Sequence, residues 1–350
     1  MPPRPSRYFT GRRTLLDKLA FGLEPREQGP AIVALHGLDG VGKTEVALAY
    51  WQRHGSRYDT MEWIRASSGS LLAGECQRIA DELSGSAPLG KAGDVVRALF
   101  EDRPDWLLVF DDVPEPEALD GYLPRTGSGS VLITSRYAAW RSRGEPLPVA
   151  PFGRDEAIEF LCASTDQRDT DAADGIAEEL GGLPLALEQA AAHVLDRGIT
   201  LGRYAELLRA DLAATLSLGD QDADAGTIAG VWSASLQSIR TTSPTAYDLL
   251  RLLSFIVPEQ LDQARLRPAA RLLDPTRDDL SDAGLLHRLL AVLRRHSLVE
   301  ANPADTVTVH RLVKAVVRAR MTGDERRRWA GTAHRLVGAA HLVDIEREDG

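Results

Sequence analysis

Residues 31–52 read AIVALHGLDGVGKTEVALAYWQ: an apolar run, a glycine-rich turn and a second apolar stretch with helical spacing. The turn from Gly37 to Thr44 fits the pattern G-x-x-x-x-G-K-[ST] at every defined position. A strand enters it and a helix leaves it, which is the context in which this pattern binds phosphate. The sequence therefore predicts a phosphate-binding loop.

The residue types of this loop suit a polyphosphate tail. Its glycines let backbone N–H groups approach phosphate oxygens without an intervening Cβ, and the following helix presents its N-terminus to the same anion. Lys43 is expected to reach the β- and γ-phosphates, and the Thr44 hydroxyl is expected to hold Mg²⁺. The expected nucleotide contacts in this segment are Gly37, Gly40, Val41, Gly42, Lys43, Thr44 and Glu45.

Two further apolar runs end in polar residues. WLLVFDD ends in Asp111 and Asp112, and in a parallel sheet that end lies at the ligand-binding edge. We expect Asp111 to bind Mg²⁺ through water, and Asp112 to polarise the attacking water as a catalytic residue together with Lys43. VLITSR ends in Arg136, whose guanidinium would match the oxygens of a γ-phosphate.

Composition limits the class of protein. With 350 residues, 43% apolar and 26% charged, the chain predicts two or three globular domains. It has no apolar run long enough for a bilayer and no apolar N-terminal signal, so we expect no membrane association. Two isolated cysteines, Cys76 and Cys162, favour a reducing cytoplasm over a disulfide framework or a zinc site. A net charge of −10 disfavours non-specific binding to nucleic acid.

The pattern along the chain predicts an α/β domain over residues 1–150, because short apolar strands alternate with helices as in a parallel sheet covered on both faces. The expected strands are Ala31–Leu35, Met61–Ile64, Trp106–Phe110 and Val131–Thr134, and the expected helices are Lys43–Gln52, Leu71–Leu83 and Asp94–Phe100.

The rest of the chain is predicted to form two smaller domains. Helical spacing recurs over residues 151–215, followed by a solvated linker at Ser217–Gly226. Residues 227–350 combine helices with two short strands, Leu298–Glu300 and Val307–Val309, joined by a turn at Asn302-Pro303. A helix from His310 follows them, and this order is typical of a winged-helix domain.

Several motifs together resemble the NB-ARC group of STAND-type P-loop ATPases, which includes plant disease-resistance and apoptosome proteins. Besides the phosphate loop, the motifs are Phe9-Thr10-Gly11-Arg12, Val149-Ala150-Pro151-Phe152, Gly182-Leu183-Pro184-Leu185 and Val309-His310-Arg311. The resemblance implies a parallel α/β nucleotide-binding domain, a helical domain and a winged-helix domain around one nucleotide. ADP would hold an inactive state, and exchange for ATP with Mg²⁺ would permit opening and self-association.

The resemblance also assigns residues outside the phosphate loop to the site. Phe9, Thr10 and Arg12 would lie over the adenine, Pro184 and Leu185 would pack against the base, and His310 would contact the β-phosphate. Relatives of this kind carry a repeat sensor after the switch and often an effector before it. Two positions depart from the family pattern: Val309 replaces Met, and Arg311 replaces Asp beside the histidine.

Two other functions fit the same residues. A turnover ATPase of the AAA type would use the same hydrolytic groups, and would show fast, steady turnover without retained ADP. A DNA-binding regulator would use the winged helix, on which Arg311, Lys314 and Arg318 form one basic stripe at helical spacing. Such a stripe is more often a solvated helix face than a nucleic-acid contact.

Overall fold

The computed structural model describes residues 2–3, 6, 8–26, 29–84, 91–210, 236–256, 260–273, 282–296, 298–301 and 306–348. It divides into two compact units, Met1–Phe152 and Gly153–Gly350. Within the described residues no helix is both long and apolar enough to cross a bilayer. The predicted linker at 217–226 and the predicted turn at 302–303 lie outside the described residues.

The first unit is an α/β layer structure. Its helices are α1 Arg13–Gly22, α2 Lys43–His54, α3 Gly69–Ser84 and α4 Ala92–Glu101. Its strands are β1 Ala31–His36, β2 Thr60–Arg65, β3 Trp106–Val113, β4 Ser130–Ser135 and β5 Glu145–Pro148. The sheet has the order β2-β3-β4-β1-β5, and every neighbouring pair is parallel. The predicted parallel α/β sheet is therefore confirmed.

This order fixes where the polar strand ends meet. The carboxyl ends of β1, β3 and β4 lie at one edge of the sheet because the three strands are parallel, and β4 separates β3 from β1. The loop after β1 and the acidic end of β3 are thus each adjacent to the end of β4.

Two elements of this unit were not predicted from the sequence. Strand β5 is short and contains Pro146 and Pro148, residues that normally argue against a strand. It lies at the edge of the sheet, where a missing N–H costs no ladder hydrogen bond. Helix α1 begins after Arg12, which adopts a left-handed backbone with φ 60°.

Large aromatic side chains fill the core beside the sheet. Trp106 begins β3 fully buried, and its ring meets that of Phe100 edge-on at 5.5 Å between centroids. Gly129 leaves room for this indole, since a Cβ there would lie 2.0 Å from it. Close packing of this kind holds the strands rigid and fixes the loops at their ends.

The second unit is mainly helical. Its helices are α5 Arg154–Thr165, α6 Thr170–Glu179, α7 Pro184–Arg197, α8 Leu201–Ala210, α9 Pro244–Leu253, α10 Gln263–Leu273, α11 Asp282–Arg295, α12 Arg311–Ala319 and α13 Gly323–Glu348. Three short strands, β6 Gln260–Asp262, β7 Glu300–Ala301 and β8 Thr306–Thr308, form an antiparallel sheet in the order β6-β8-β7. Strands β7 and β8 pair antiparallel, as expected for the two predicted strands, but their bounds differ from the predicted Leu298–Glu300 and Val307–Val309. Strand β6 was not predicted.

Candidate functional site

The loop between β1 and α2 has the backbone of an anion cradle. Gly37 has φ 147°, and a Cβ there would lie 2.5 Å from the carbonyl oxygen of Val149, so a side chain is excluded. Gly42 has φ 91° and faces open space. Helix α2 begins at the next residue, so its N-terminal N–H groups face the same space. The loop therefore fits a phosphate group.

The Lys43 ammonium lies inside this loop. Nζ donates hydrogen bonds of 2.9 Å to the carbonyl oxygens of Gly37 and Leu38, and the side chain is only 10% exposed. Removal from water lowers the pKa of Lys43, whereas the nearby carboxylate of Asp39 raises it. A cation held in a site of low polarity attracts an incoming anion more strongly than one in water does.

Asp39 was not singled out from the sequence, yet it joins the two cations of the site. Its Oδ1 lies 3.7 Å from Lys43 Nζ, and its Oδ2 lies 3.5 Å from a terminal nitrogen of Arg136. The Arg136 side chain is 30% exposed and follows β4, as expected. The structure thus brings both predicted phosphate-binding cations to one carboxylate.

A chain of hydrogen bonds links Thr44 to the acidic end of β3. The Thr44 hydroxyl donates to Asp111 Oδ1 at 2.9 Å, and the Thr134 hydroxyl donates to the same oxygen at 2.6 Å. Thr134 in turn accepts the Asp112 N–H at 2.8 Å. Oxygen donors of this kind suit Mg²⁺, which proteins bind through one or two carboxylates together with phosphate oxygens. The predicted metal residues Thr44 and Asp111 are therefore in contact.

The end of β3 differs from the prediction. The strand does not stop at Phe110 but continues to Val113 past a bulge, in which Asp112 has φ 60°. Bulges often turn a side chain toward a functional site. Desolvation by the surrounding protein raises the pKa of Asp112, and Arg136 opposes that shift.

The N-terminal segment is tied to the loop. Arg12 donates to the carbonyl oxygens of Val41 at 3.2 Å and Ala150 at 2.6 Å, and its guanidinium lies 4.6 Å from the ring centre of Phe152. It is 8% exposed. The Glu45 carboxylate accepts the Ser6 N–H at 2.9 Å.

The remaining predicted nucleotide contacts of the first unit lie close by in sequence. Phe9 and Thr10 are half-buried and precede Arg12, and Gly40 has φ 80° within the loop.

Three predicted site residues belong to the second unit. Pro184 is the first residue of α7, where no N–H is needed, and Leu185 follows it half-buried. His310 caps α12: its Nδ1 accepts the Leu312 N–H at 3.3 Å, so Nε2 carries the hydrogen and faces the Gly181 carbonyl oxygen at 3.3 Å.

The prediction that the basic residues of α12 form an exposed stripe is wrong for Lys314. Lys314 is 6% exposed, and its ammonium donates to the Ile256 carbonyl oxygen at 2.9 Å. Arg311 pairs with Glu179 at 3.3 Å and donates to the Glu178 carbonyl oxygen. Desolvation lowers the pKa of Arg318. Helical spacing predicted one solvated face, but packing in the second unit buries Lys314, while Arg311 stays about one-third exposed.

Two family models match parts of this chain. The family model of the NB-ARC domain matches residues 12–171, and a model described as a domain of unknown function (DUF7779) matches residues 237–326. The NB-ARC match includes the phosphate loop, the acidic end of β3 and Arg136.

Curated relatives come from a fungus and a plant. A nucleotide-binding leucine-rich repeat (NLR)-like protein of Hyaloscypha variabilis is 25% identical over 89% of this chain, which spans 34% of that protein. The disease resistance protein UNI of Arabidopsis thaliana is 27% identical over 53% of the chain, and the match spans 23% of that protein. The chain thus spans about a third or less of these relatives.

Solved structures share the fold. A Walker-type ATPase of Pyrococcus abyssi has a TM-score of 0.61 at 16% identity, covering 91% of this chain and 98% of that one. The ORC2 protein of Aeropyrum pernix, solved as ADPNP–ADP complexes, has a TM-score of 0.52 at 15% identity, covering 98% of both chains. The NB-ARC match and the loop geometry therefore support an NB-ARC domain of the STAND-type P-loop ATPases over residues 12–171, and the two solved structures share its fold.

Proposed function

We propose that the chain is a nucleotide-dependent molecular switch that holds ADP in an inactive state and ATP with Mg²⁺ in an active state. The observation that supports this most strongly is the pairing of a glycine-rich anion cradle with the Thr44–Asp111 contact of 2.9 Å. Slow hydrolysis of ATP would return the switch to its inactive state.

Each group of the cradle has a task in nucleotide binding. The backbone N–H groups of the loop and of the first turn of α2 receive the β-phosphate. Lys43 exchanges the carbonyl oxygens of Gly37 and Leu38 for phosphate oxygens, and Arg136 reaches the γ-phosphate. Bound Mg²⁺ supplies charge neutralisation between the phosphates, and Thr44 and Asp111 are the residues that would hold it.

Asp112 is proposed as the residue that orients the attacking water. Its backbone N–H is fixed by Thr134, and its φ of 60° places it outside the regular strand. A positioned carboxylate near its working pKa accelerates proton transfer.

The second unit would close the site in the inactive state. We assign residues 151–215 to a helical domain and 227–350 to a winged-helix domain, with Pro184 and Leu185 on the base and His310 on the β-phosphate. Phe9 and Thr10 would cover the adenine, and Arg12, expected from the family resemblance to lie there as well, would hold this segment against the loop through the Val41 and Ala150 carbonyl oxygens. Shifting a two-state equilibrium from 1:99 to 99:1 needs about 5.5 kcal/mol. One histidine contact contributes roughly 1.5–3 kcal/mol, so closure needs packing of all three domains.

The whole protein would connect this switch to a signal. A repeat sensor and an effector are proposed as partners in the full-length protein, with self-association of the ATP form. These parts are proposals, because the chain spans only a fraction of its curated relatives.

The nucleotide that co-purifies tests the proposal directly. The protein is denatured, and the released nucleotide is separated by chromatography. We expect ADP close to one per chain and, after reloading with ATP and Mg²⁺, hydrolysis on the scale of minutes or slower. Fast, steady turnover with no retained ADP would instead identify a motor-type ATPase.

A further inference from the structure

Asp39 is a carboxylate inside a loop built to receive an anion. Its side chain is 14% exposed, and its two oxygens face different cations: Oδ1 is 3.7 Å from Lys43 and Oδ2 is 3.5 Å from Arg136. These two cations come from different elements of the unit, 93 residues apart (136 − 43). One carboxylate thus bridges the groups that are proposed to meet the terminal phosphate.

The shape of the loop does not depend on this bridge alone. Lys43 is also held by the carbonyl oxygens of Gly37 and Leu38. The close approach of Gly37 to the Val149 carbonyl oxygen and the contact of Arg12 with Val41 fix the two ends of the loop. The Asp39 carboxylate is therefore not the only group that holds the loop in shape, and its charge can act on a bound nucleotide.

We propose that Asp39 is a specificity-determining residue that weakens the binding of nucleoside triphosphate relative to diphosphate. The inference rests on the proposed function, because it takes Arg136 as the γ-phosphate contact. ADP binds while the Asp39–Arg136 pair stays intact. ATP must separate that pair and place the charge of its third phosphate beside the carboxylate, which repels it. Asp39 thereby biases the switch toward its ADP form.

The test compares two nucleotides on one substitution. Asp39→Asn keeps the size of the side chain and removes its charge. Calorimetric titrations with ADP and with ATP are first run in EDTA. They are then repeated with Mg²⁺, and in this second series a non-hydrolysable analogue replaces ATP. We expect the ratio of Kd for the triphosphate to Kd for ADP to fall by roughly 5-fold under both conditions. A change of this size is what one unit charge produces on another several ångströms away in a solvated site.

A matched control separates this effect from a change of net charge. Asp102 is an exposed carboxylate that follows α4, near the start of β3 and so at the opposite edge of the sheet. Asp102→Asn alters net charge by the same amount and should leave the ratio unchanged. In an Arg136→Gln background, Asp39→Asn should favour the triphosphate less strongly, because the pair that ATP must break is already absent and only the repulsion by the carboxylate remains to be removed.

The outcomes distinguish the two proposals. Equal strengthening of ADP and triphosphate binding by Asp39→Asn would overturn the specificity role. So would triphosphate binding that is weakened only when Mg²⁺ is present, since Asp39 would then be a metal ligand. If the unaltered chain, folded by circular dichroism, bound neither nucleotide, the proposed function itself would be wrong.

Discussion

The hydroxyl of Thr134 donates to Asp111 at 2.6 Å while it accepts the N–H of Asp112 at 2.8 Å. One residue of β4 thus orients the proposed metal carboxylate and the backbone of the proposed catalytic carboxylate. Thr134 is 1% exposed, so neither bond competes with bulk water. The acidic pair on β3 therefore depends on its neighbouring strand for its geometry.

Thr134→Val tests this dependence. Valine has nearly the same shape but no hydroxyl, so Asp111 loses a donor and the Asp112 N–H loses its acceptor. We expect stability to fall by about 1–3 kcal/mol, the cost of an unsatisfied buried polar group. The gain in ATP affinity on adding Mg²⁺ should also shrink. Urea denaturation and titrations with and without Mg²⁺ measure the two effects, and Thr134→Ser should preserve both properties.

Lys43→Ala should abolish ADP binding. The ammonium is the main cation of the cradle, and each charge-assisted hydrogen bond that it makes to phosphate contributes about 1.5–3 kcal/mol. Calorimetry with ADP measures the loss, and unchanged affinity would contradict the assignment of the loop.

The same lysine gives a pH prediction. Burial lowers the pKa of Lys43, so its proton leaves at a lower pH than that of an ordinary lysine. Because binding needs the charged form, ADP affinity should decline as the pH rises through this lowered value. Lys43→Arg stays charged at alkaline pH and should lack the decline, although its different shape weakens binding throughout. A parallel decline in both proteins would assign the pH effect to another group.

Arg12→Ala should weaken binding through the phosphates rather than through the base. Arg12 holds the Val41 carbonyl oxygen in the loop and the Ala150 carbonyl oxygen, so its loss releases the cradle. We expect about a 10-fold loss in affinity for ADP and for pyrophosphate, with adenosine little affected. Competition titrations compare the three ligands. A loss that appears equally with adenosine would instead place Arg12 on the adenine.

His310→Ala should speed the release of ADP if His310 contacts the β-phosphate. Release of a fluorescent ADP analogue, followed by stopped flow, measures the rate. An unaltered rate would leave His310 as the cap of α12, consistent with its Nδ1 contact to Leu312.

Arg311 and Glu179 offer a charge-reversal test within the second unit. Their ion pair of 3.3 Å links α12 to the end of α6, and both side chains are about one-third exposed. Arg311→Glu should lower stability by up to about 1 kcal/mol, the range for exposed pairs. Adding Glu179→Arg should restore it, as measured by thermal unfolding. No recovery in the double variant would mean that the contact to the Glu178 carbonyl oxygen carries the effect.

Much of the first unit could be predicted from sequence. The glycine pattern from Gly37 to Gly42 requires backbone conformations that only glycine adopts readily, and the apolar runs of β1, β3 and β4 specify buried strands. These are local signals, which is why the sequence could predict the loop and point to Thr44 and Asp111, which the structure brings into contact. Strand β5 was missed because it contains prolines, which a sheet tolerates only at its edge. The spacing of apolar residues does not show which strand lies at that edge.

Sequence by itself therefore determined the phosphate loop, the parallel α/β class and the resemblance to the NB-ARC family, because each follows from residue order over short distances. Tertiary structure alone decided that Thr134 bonds to both Asp111 and Asp112, and that Asp39 joins Lys43 to Arg136. It also decided that Lys314 is buried. These contacts join residues far apart in the chain, and strand order and packing, rather than periodicity, bring them together.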